Sequence, residues 1–347
     1  MSGRTKPTSE FLREVVTCWT ANGENSEAVG RIMDRPGSTI KNWLKQARAR
    51  GVGGERPFEV ADIPSEDLPV SELINRRKRE FDQKRAHQVA KKLRDVRIRI
   101  NGPIGIAHFG DPHVDDDGTD IALLETHMKI VKKTEGLFGA NLGDLQNNWI
   151  GRLARLWAAQ GTSAKQAWQL VEWMCEYIEW LYMVGGNHDA WSGTGDPLKW
   201  IMAQAGTAFD YSGVRLNLKF PNGKCVRVNA RHDFSGHSMW NPAHGPFKAI
   251  QGGWRDHILT CGHKHTSFLG GPLKDPSTGL LSWAIRCAGY KTFDHYAEEK
   301  GLPDQNAFPA CVTIIDPRWG DDDTRLITVI PDVERGADFL KFLRRKA

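Results

Sequence analysis

Apolar positions in the first fifty residues recur with helical spacing. Phe11, Leu12, Val15, Val16 and Trp19 stripe one side of a helix over 9–22. Ala28, Val29, Ile32 and Met33 mark a second helix over 26–33, with Ser26 as its N-cap. Asp34-Arg35-Pro36-Gly37 reads as a turn. Ser38 or Thr39 then caps a third helix, with Ile40, Trp43, Leu44 and Ala47 inward and Lys41, Lys45, Arg48 and Arg50 outward. Residues 52–70 are rich in Gly, Pro and acids and read as a linker. A long helix follows over 71–95, capped by Ser71, with a thin apolar stripe of Val89, Leu93 and Val96.

From residue 97 the period changes. Short apolar runs bounded by Gly, Pro and Asn alternate with helical stretches, the pattern of an α/β domain. Strands are expected over 98–109 (broken at Asn101-Gly102-Pro103), 136–142, 181–184, 214–220, 225–230, 257–261, 281–288, 310–315 and 324–330. Helices are expected over 119–134, through the Trp-rich stretch before Trp180, over 197–205, and in the tail 335–345. Residues 246–256 read as irregular or helical. The division is therefore 1–51, a small all-α domain; 52–70, a linker; 71–96, a basic connector helix; and 97–347, the main domain.

Charge sharpens this division. Residues 1–100 carry 21 Lys and Arg against 14 Asp and Glu, and the remainder 26 against 28. A basic front end on a near-neutral body points to an anionic polymer, nucleic acid first, although a solvated basic surface has the same composition. Three short helices with a tight turn before a basic third resemble a helix-turn-helix DNA-binding domain, the alternative being a helical protein–protein module. Its expected DNA contacts are Lys41, Lys45 and Arg48, extended by Arg76, Arg77, Lys78 and Arg79 on the connector helix. No apolar run is long enough to cross a membrane. The six cysteines are scattered, without a C-x-x-C pair, as expected of reduced thiols in a cytoplasmic protein. Residues 1–7 lack the apolar core of a signal peptide.

Metal-ligand residue types stand at the ends of five expected strands: Asp111 and His113; Asp144; Asn187 and His188; His232; His263 and His265. Strand ends of an open α/β sheet converge on one crevice, so these groups can meet. The spacing of two in Asp111/His113 and His263/His265 would aim both side chains the same way in an extended segment. Carboxylate, imidazole and one amide, with no thiolate, suit Mn2+, Fe or Zn2+. The donors are too many for one ion, and two ions sharing a carboxylate fit the count. For the fourth strand end His237 is the alternative to His232. Asn147 and Asn148 follow Asp144 as possible supporting donors, and Trp149 and Trp191 as possible base-stacking rings. Asp115-Asp116-Asp117 reads as a solvated loop, the alternative being a metal site, and Tyr290, Lys291 and His295 could border the cleft.

The ordered set Asp111-x-His113, Gly143-Asp144, Gly186-Asn187-His188-Asp189, His232 and Gly262-His263-x-His265 resembles the calcineurin-like metallophosphoesterase superfamily over residues 97–290. The resemblance implies two mixed sheets packed as a sandwich with helices outside; the periodicity alone implies only α/β. It implies two divalent metal ions, manganese first. Asp111, His113, Asp144 and His265 would hold one ion, and Asn187, His232 and His263, with Asp144 bridging, the other. His188 would be a non-ligand acid protonating the leaving oxygen, with Asp189 its catalytic neighbour. A metal-bridging hydroxide would then hydrolyse DNA phosphodiesters, as in the nuclease subunits of double-strand-break repair complexes. The fusion to a helix-turn-helix resembles a bacteriophage-type arrangement, which would place the chain in a host cytoplasm. A phosphomonoesterase acting on proteins or small molecules, and a DNA-binding scaffold with a secondary metal site, are the alternatives. Oligomeric state is not legible.

Overall fold

The computed structural model describes residues 6–346 except 54–60, 62, 65, 191–195, 295–296, 299 and 302–306. Trp191, His295 and much of the expected linker therefore lie outside the described residues. The chain divides into two compact units, Met1–Arg77 and Lys78–Ala347.

The first unit contains α1 (Ser9–Ala21), α2 (Ser26–Ile32) and α3 (Gly37–Ala49). Leu12, Val15, Val29, Ile40, Leu44 and Ala47 are buried among them. Phe11 and Trp43 meet edge to face, with ring centroids 4.8 Å apart. Asn25, not Ser26, caps α2: its side-chain oxygen accepts the main-chain N–H groups of Glu27 and Ala28. Helix α3 begins at Gly37 behind Pro36, so neither Ser38 nor Thr39 caps it. Ile32, expected inward, is exposed because α2 ends there. Lys41, Lys45, Arg48 and Arg50 are exposed.

Helix α4 (Val70–Lys91) has no buried residue; of its expected apolar stripe Val89 is exposed, while Leu93 and Val96 lie beyond the helix and are half-buried, Val96 against the core between the sheets. It stops short of residue 95 because Arg94–Arg97 forms strand β1. The main-chain groups of β1 pair in parallel with β6 (Val214–Lys219) instead of continuing the helix.

The second unit is built on two six-stranded mixed sheets. One runs β1-β6-β7-β8-β10-β9, where β7 is Cys225–Ala230, β8 Ile258–Cys261, β9 Phe268–Lys274 and β10 Leu281–Arg286. The other runs β12-β11-β2-β3-β4-β5, where β2 is Ile104–Phe109, β3 Leu137–Asn141, β4 Trp180–Val184, β5 Ala208–Asp210, β11 Ala310–Ile315 and β12 Ile327–Ile330. Strands β2 to β5 are mutually parallel, joined through α5 (Ile121–Lys133), α6 (Ala164–Tyr177) and α7 (Pro197–Ala205). Period-two alternation divides their side chains between two cores. Ile104, Ile106, Tyr182 and Val184 pack between the sheets against Leu216, Leu218, Val226, Val228, Ile258 and Ile285. Ala107, Phe109 and Met183 face outward and are covered by α5, α6, α7 and α9 (Val333–Arg345). Helix α8 (His244–Gln251) covers the outer face of the other sheet, with Ile250 packed near Leu259, Cys261 and Ala284.

This is the α/β two-sheet sandwich with flanking helices that the sequence led us to expect. Covered on both faces, β2 is buried at every position and is apolar but for His108, whose ring is hydrogen-bonded to Tyr182 and Thr313. Strands β5 and β9 escape sequence reading because β5 has three residues and β9 carries Gly270-Gly271-Pro272. No helix among the described residues is long and apolar enough to cross a membrane.

Candidate metal centre

The carboxyl ends of β2, β3 and β4 and of β7 and β8 open onto one cavity of about 640 Å³. It is lined by His113, Asp144, Asn187, His188, His263 and His265, among others. The tightest cluster of donor atoms surrounds His232. Its Nε2 lies 3.0 Å from Asn187 Oδ1, 3.0 Å from His263 Nδ1 and 3.2 Å from Asp144 Oδ2. Its Nδ1 lies 2.9 Å from the Leu142 carbonyl oxygen, so that nitrogen donates and the ring orientation is fixed.

A second set adjoins the first through Asp144. His113 Nε2 is 4.0 Å from Asp144 Oδ2, and His265 Nε2 is 3.7 Å from Asp111 Oδ2. Asp111 is fully buried, and Oδ2 accepts the main-chain N–H of His263 at 2.5 Å. Asp144 Oδ1 accepts the main-chain N–H of His188 at 2.9 Å, which turns Oδ2 toward both sets.

The residues fit divalent cations. Nε2 of His232, Nδ1 of His263 and the oxygens of Asn187 and Asp144 bring lone pairs to one point, where a single proton cannot satisfy all of them. Asp111 Oδ1 and His113 Nδ1 are buried without a hydrogen-bond partner. Donor atoms of Asp144, His232 and His263 all lie within 4.8 Å of one another. Burial pushes the Asp111 carboxyl up to about 8. Burial also opposes the charge on His232, but its hydrogen bond to Asp144 and the charges of Asp144 and Asp111 raise it to about 10. Asp144 is held below the usual carboxylate range: burial opposes its charge, and the hydrogen bond and charge of His232 outweigh that. Burial lowers His265 to about 4 and carries His113 well below the usual imidazole range. Positive charge at this point is what the buried carboxylates require, and neutral imidazoles are what a cation binds.

The backbone that aims these groups is not extended. His113, Asp144, His263 and His265 have φ of +39°, +51°, +71° and +49°. The spacing-of-two argument therefore fails for both Asp111/His113 and His263/His265, because left-handed turns, not pleated strands, direct the rings. Glycines make the close approach possible. A Cβ on Gly186 would collide with the Asp144 carboxylate, and one on Gly262 would stand 2.7 Å from Asp111 Oδ1.

His188 lines the cavity beside both sets. Its ring is edge-on to His113 at 5.1 Å and to Trp149 at 5.3 Å between centroids. Asp189 is placed differently from the expected catalytic position. It is buried behind the site, with Oδ1 accepting the N–H of Leu145 and Oδ2 that of Gly186, and so pins the β4 loop to the β3 loop. His237 is exposed on the cavity wall with Nδ1 3.5 Å from Lys264 Nζ, apart from the donor cluster. Of the two alternatives, His232 is the one inside it.

The acid-rich loop is not solvated as expected. Asp115 is buried, accepting the N–H of Asn147 and a Gln160 amide hydrogen, and Asp116 pairs with Lys291 Nζ at 2.9 Å. Trp149 is buried by the same network through its Nε1–H to Gln160 and is not a free stacking ring. Lys291, whose Nζ lies 5.4 Å from the centre of the Trp149 ring, lines the cavity, while Tyr290 is in the core. Asn148 donates to the His188 carbonyl. Sequence reading missed Arg286. Fully buried at the end of β10, it donates to the carbonyls of Pro242 and Gly262 and to Asp233 Oδ1. It thereby ties the neighbours of His232 and His263 together. A charged residue closing an apolar strand is its only sequence signal.

No protein-family model matches the chain, and no curated protein does. Among solved structures the chain is similar to Vps29 from Entamoeba histolytica. A single mutant of that protein matches at 10% identity, TM-score 0.35, over 65% of this chain and 97% of that one. Its wild type complexed with zinc matches at 10% identity, TM-score 0.32, over 65% and 97%. A conserved uncharacterized protein of Streptococcus pneumoniae, described as a predicted phosphoesterase, matches at 12% identity, TM-score 0.30, over 67% and 99%. At such distances the chemistry has to be read from this chain's own residues.

Proposed function

We propose that this chain is a metal-dependent phosphoesterase that hydrolyses DNA phosphodiester bonds. The observation that carries the reading is the convergence of Asp144, Asn187, His232 and His263 on one point, with Asp111, His113 and His265 adjoining through Asp144. The first group would hold one divalent cation. The second would hold another, with Asp144 shared. The donor set of carboxylates, imidazoles and an amide accommodates Mn2+, Fe or Zn2+. Bound there, such ions would acidify water and offset charge on the phosphoryl oxygens.

The remaining work belongs to the side chains around them. The Asn147 carbonyl accepts a hydrogen bond from His188 Nδ1–H, which leaves Nε2 to exchange a proton with substrate. In the protonated ring Nε2 holds the hydrogen that a leaving oxygen needs. Trp149 and His113 hold the ring plane from two sides. Asp189 acts as a positioning residue through the loops it joins. Lys264 and Lys291 on the cavity wall suit phosphate oxygens outside the reacting group. The exposed Lys41, Lys45 and Arg48 on α3 and Arg76, Arg77, Lys78 and Arg79 on α4 would supply sequence-independent affinity for the DNA backbone.

The test is purified protein supplied with Mn2+, Zn2+ or Fe2+ and offered double-stranded DNA, single-stranded DNA and the p-nitrophenyl mono- and diesters of phosphate. Metal-dependent cleavage of DNA and of the diester supports the reading. Hydrolysis of the monoester alone would make the chain a phosphomonoesterase.

A further inference from the structure

Between β7 and α8 the chain forms a loop over one wall of the cavity. Gly236, His237, Ser238, Met239, Asn241 and Pro242 all line the cavity. Trp240, on the same loop but not itself lining the cavity, has 91% of its surface exposed, and its neighbour Met239 is 84% exposed. Exposing an indole to water is unfavourable, by roughly 25 cal/mol per Å² of apolar surface, and nothing else in this stretch requires one.

The loop is held firmly at both ends. The buried Arg286 guanidinium binds Asp233 Oδ1 at 2.6 Å before the loop and the Pro242 carbonyl at 2.7 Å after it. Phe234 is buried at its start. Ser238 Oγ accepts the main-chain N–H groups of Trp240 and Asn241, closing a turn at Trp240, and Asn241 Oδ1 accepts that of Ala243. The ring is thus presented from a built turn.

What the ring meets is set by its surroundings. Lys264 Nζ, which lies 3.5 Å from both the Gly236 carbonyl and His237 Nδ1 and 3.8 Å from Asp233 Oδ2, stands in the same wall. On this loop Met239 and Trp240 are flanked by the polar His237, Ser238 and Asn241. A protein or membrane partner calls for a broader patch. An exposed ring on a loop that walls a phosphoester site, with Lys264 in that same wall, matches one repeating chemistry, a phosphate with a base attached.

We infer that Trp240 stacks on an unpaired base of the DNA strand whose phosphate enters the cavity, so that the substrate class is single-stranded DNA or a frayed end. This rests on the DNA phosphodiesterase reading. A base inside a duplex already has its faces covered by neighbours, and only an unstacked one offers a face to the indole.

The experiment compares the full-length Mn2+-loaded protein with Trp240→Ala and Trp240→Phe on a single-stranded oligonucleotide, the same strand in a blunt duplex, and bis(p-nitrophenyl) phosphate. Thermal unfolding of each variant verifies folding. The wild type is expected to prefer the single strand. Relative to its effect on the small diester, Trp240→Ala should lower kcat/KM on the single strand about tenfold, mostly through KM, and Trp240→Phe should restore most of it. Scanning an abasic nucleotide along the strand should find one position that brings wild type down to Trp240→Ala and leaves Trp240→Ala unchanged. If the wild type cuts DNA but Trp240→Ala cuts single strands equally well, or loses as much on the small diester, stacking is overturned and the nuclease reading stands. If the wild type cleaves the small diester and no DNA, the nuclease reading fails and stacking with it.

Discussion

His188 Nδ1 lies 2.5 Å from the main-chain carbonyl oxygen of Asn147. A carbonyl only accepts, so Nδ1 carries the hydrogen and the ring engages substrate through Nε2. His188→Ala should therefore retain both metals and lose rate by roughly two to four decades. Substrates with a very good leaving group should recover part of the loss, since protonation matters less there. Metal analysis paired with a leaving-group series checks this, and loss of one ion in the variant would refute the assignment.

Asp144 stands between the two donor sets, and its Oδ2 faces His232 and His113. Asp144→Asn removes the charge while keeping the shape. Turnover should vanish with the fold intact, as read by circular dichroism. Activity above a few per cent of wild type would rule out the shared position.

Arg286 binds Asp233, Gly262 and Pro242, next to two residues of the donor cluster. Arg286→Lys keeps the charge but not the fork that reaches three acceptors. Metal affinity should fall roughly tenfold to a hundredfold, the usual cost of losing an outer partner. Titration calorimetry of the metal-free variant reports it directly, and unchanged affinity would reduce Arg286 to a packing role.

The front end should contribute affinity without chemistry. A chain beginning at Ser71 is expected to hydrolyse a small phosphodiester at the full-length rate and to bind duplex DNA more weakly. Neutralising Arg76, Arg77, Lys78 and Arg79 should flatten the salt dependence by about 0.9 per lost phosphate contact. Equal duplex binding by the shortened chain would remove α1 to α3 from DNA delivery.

His108 is buried between the sheets, with its ring nitrogens 2.8 Å from the Tyr182 and Thr313 hydroxyls, and burial lowers it from 6.5 to about 3. Between those values the unfolded chain binds a proton that the folded chain refuses. This contribution is full above pH 6.5 and is lost as pH falls toward 3. Other buried groups titrate in the same range, so the readout is the difference between wild type and His108→Gln in urea unfolding at pH 7 and pH 5. Acid should cost the wild type more.

The order of strands and helices, the change of period near residue 97 and the residue types at the strand ends were all legible in the chain. Each depends on local period or on composition. Strands β2, β3, β4, β7, β8, β10 and β11 stand close to where apolar runs put them. The end of α4 was misread because Arg94–Arg97 is strand only by virtue of its pairing with β6, more than a hundred residues away.

Which histidine joins the cluster was beyond the sequence. His232 and His237 are the same residue type on one loop, and only the approach of β7 to β3 and β4 brings His232 to Asn187 and Leu142. The left-handed turns at His113, Asp144, His263 and His265 are held by long-range contacts such as the His263 N–H on Asp111. Burial of Asp115, the place of Asp189 behind the site and the two loops gathered by Arg286 are likewise tertiary facts. The sequence by itself determined the elements and the stock of donor atoms, since period and composition are local. The tertiary structure decided which donors meet, because that depends on chain segments brought together from far apart in sequence.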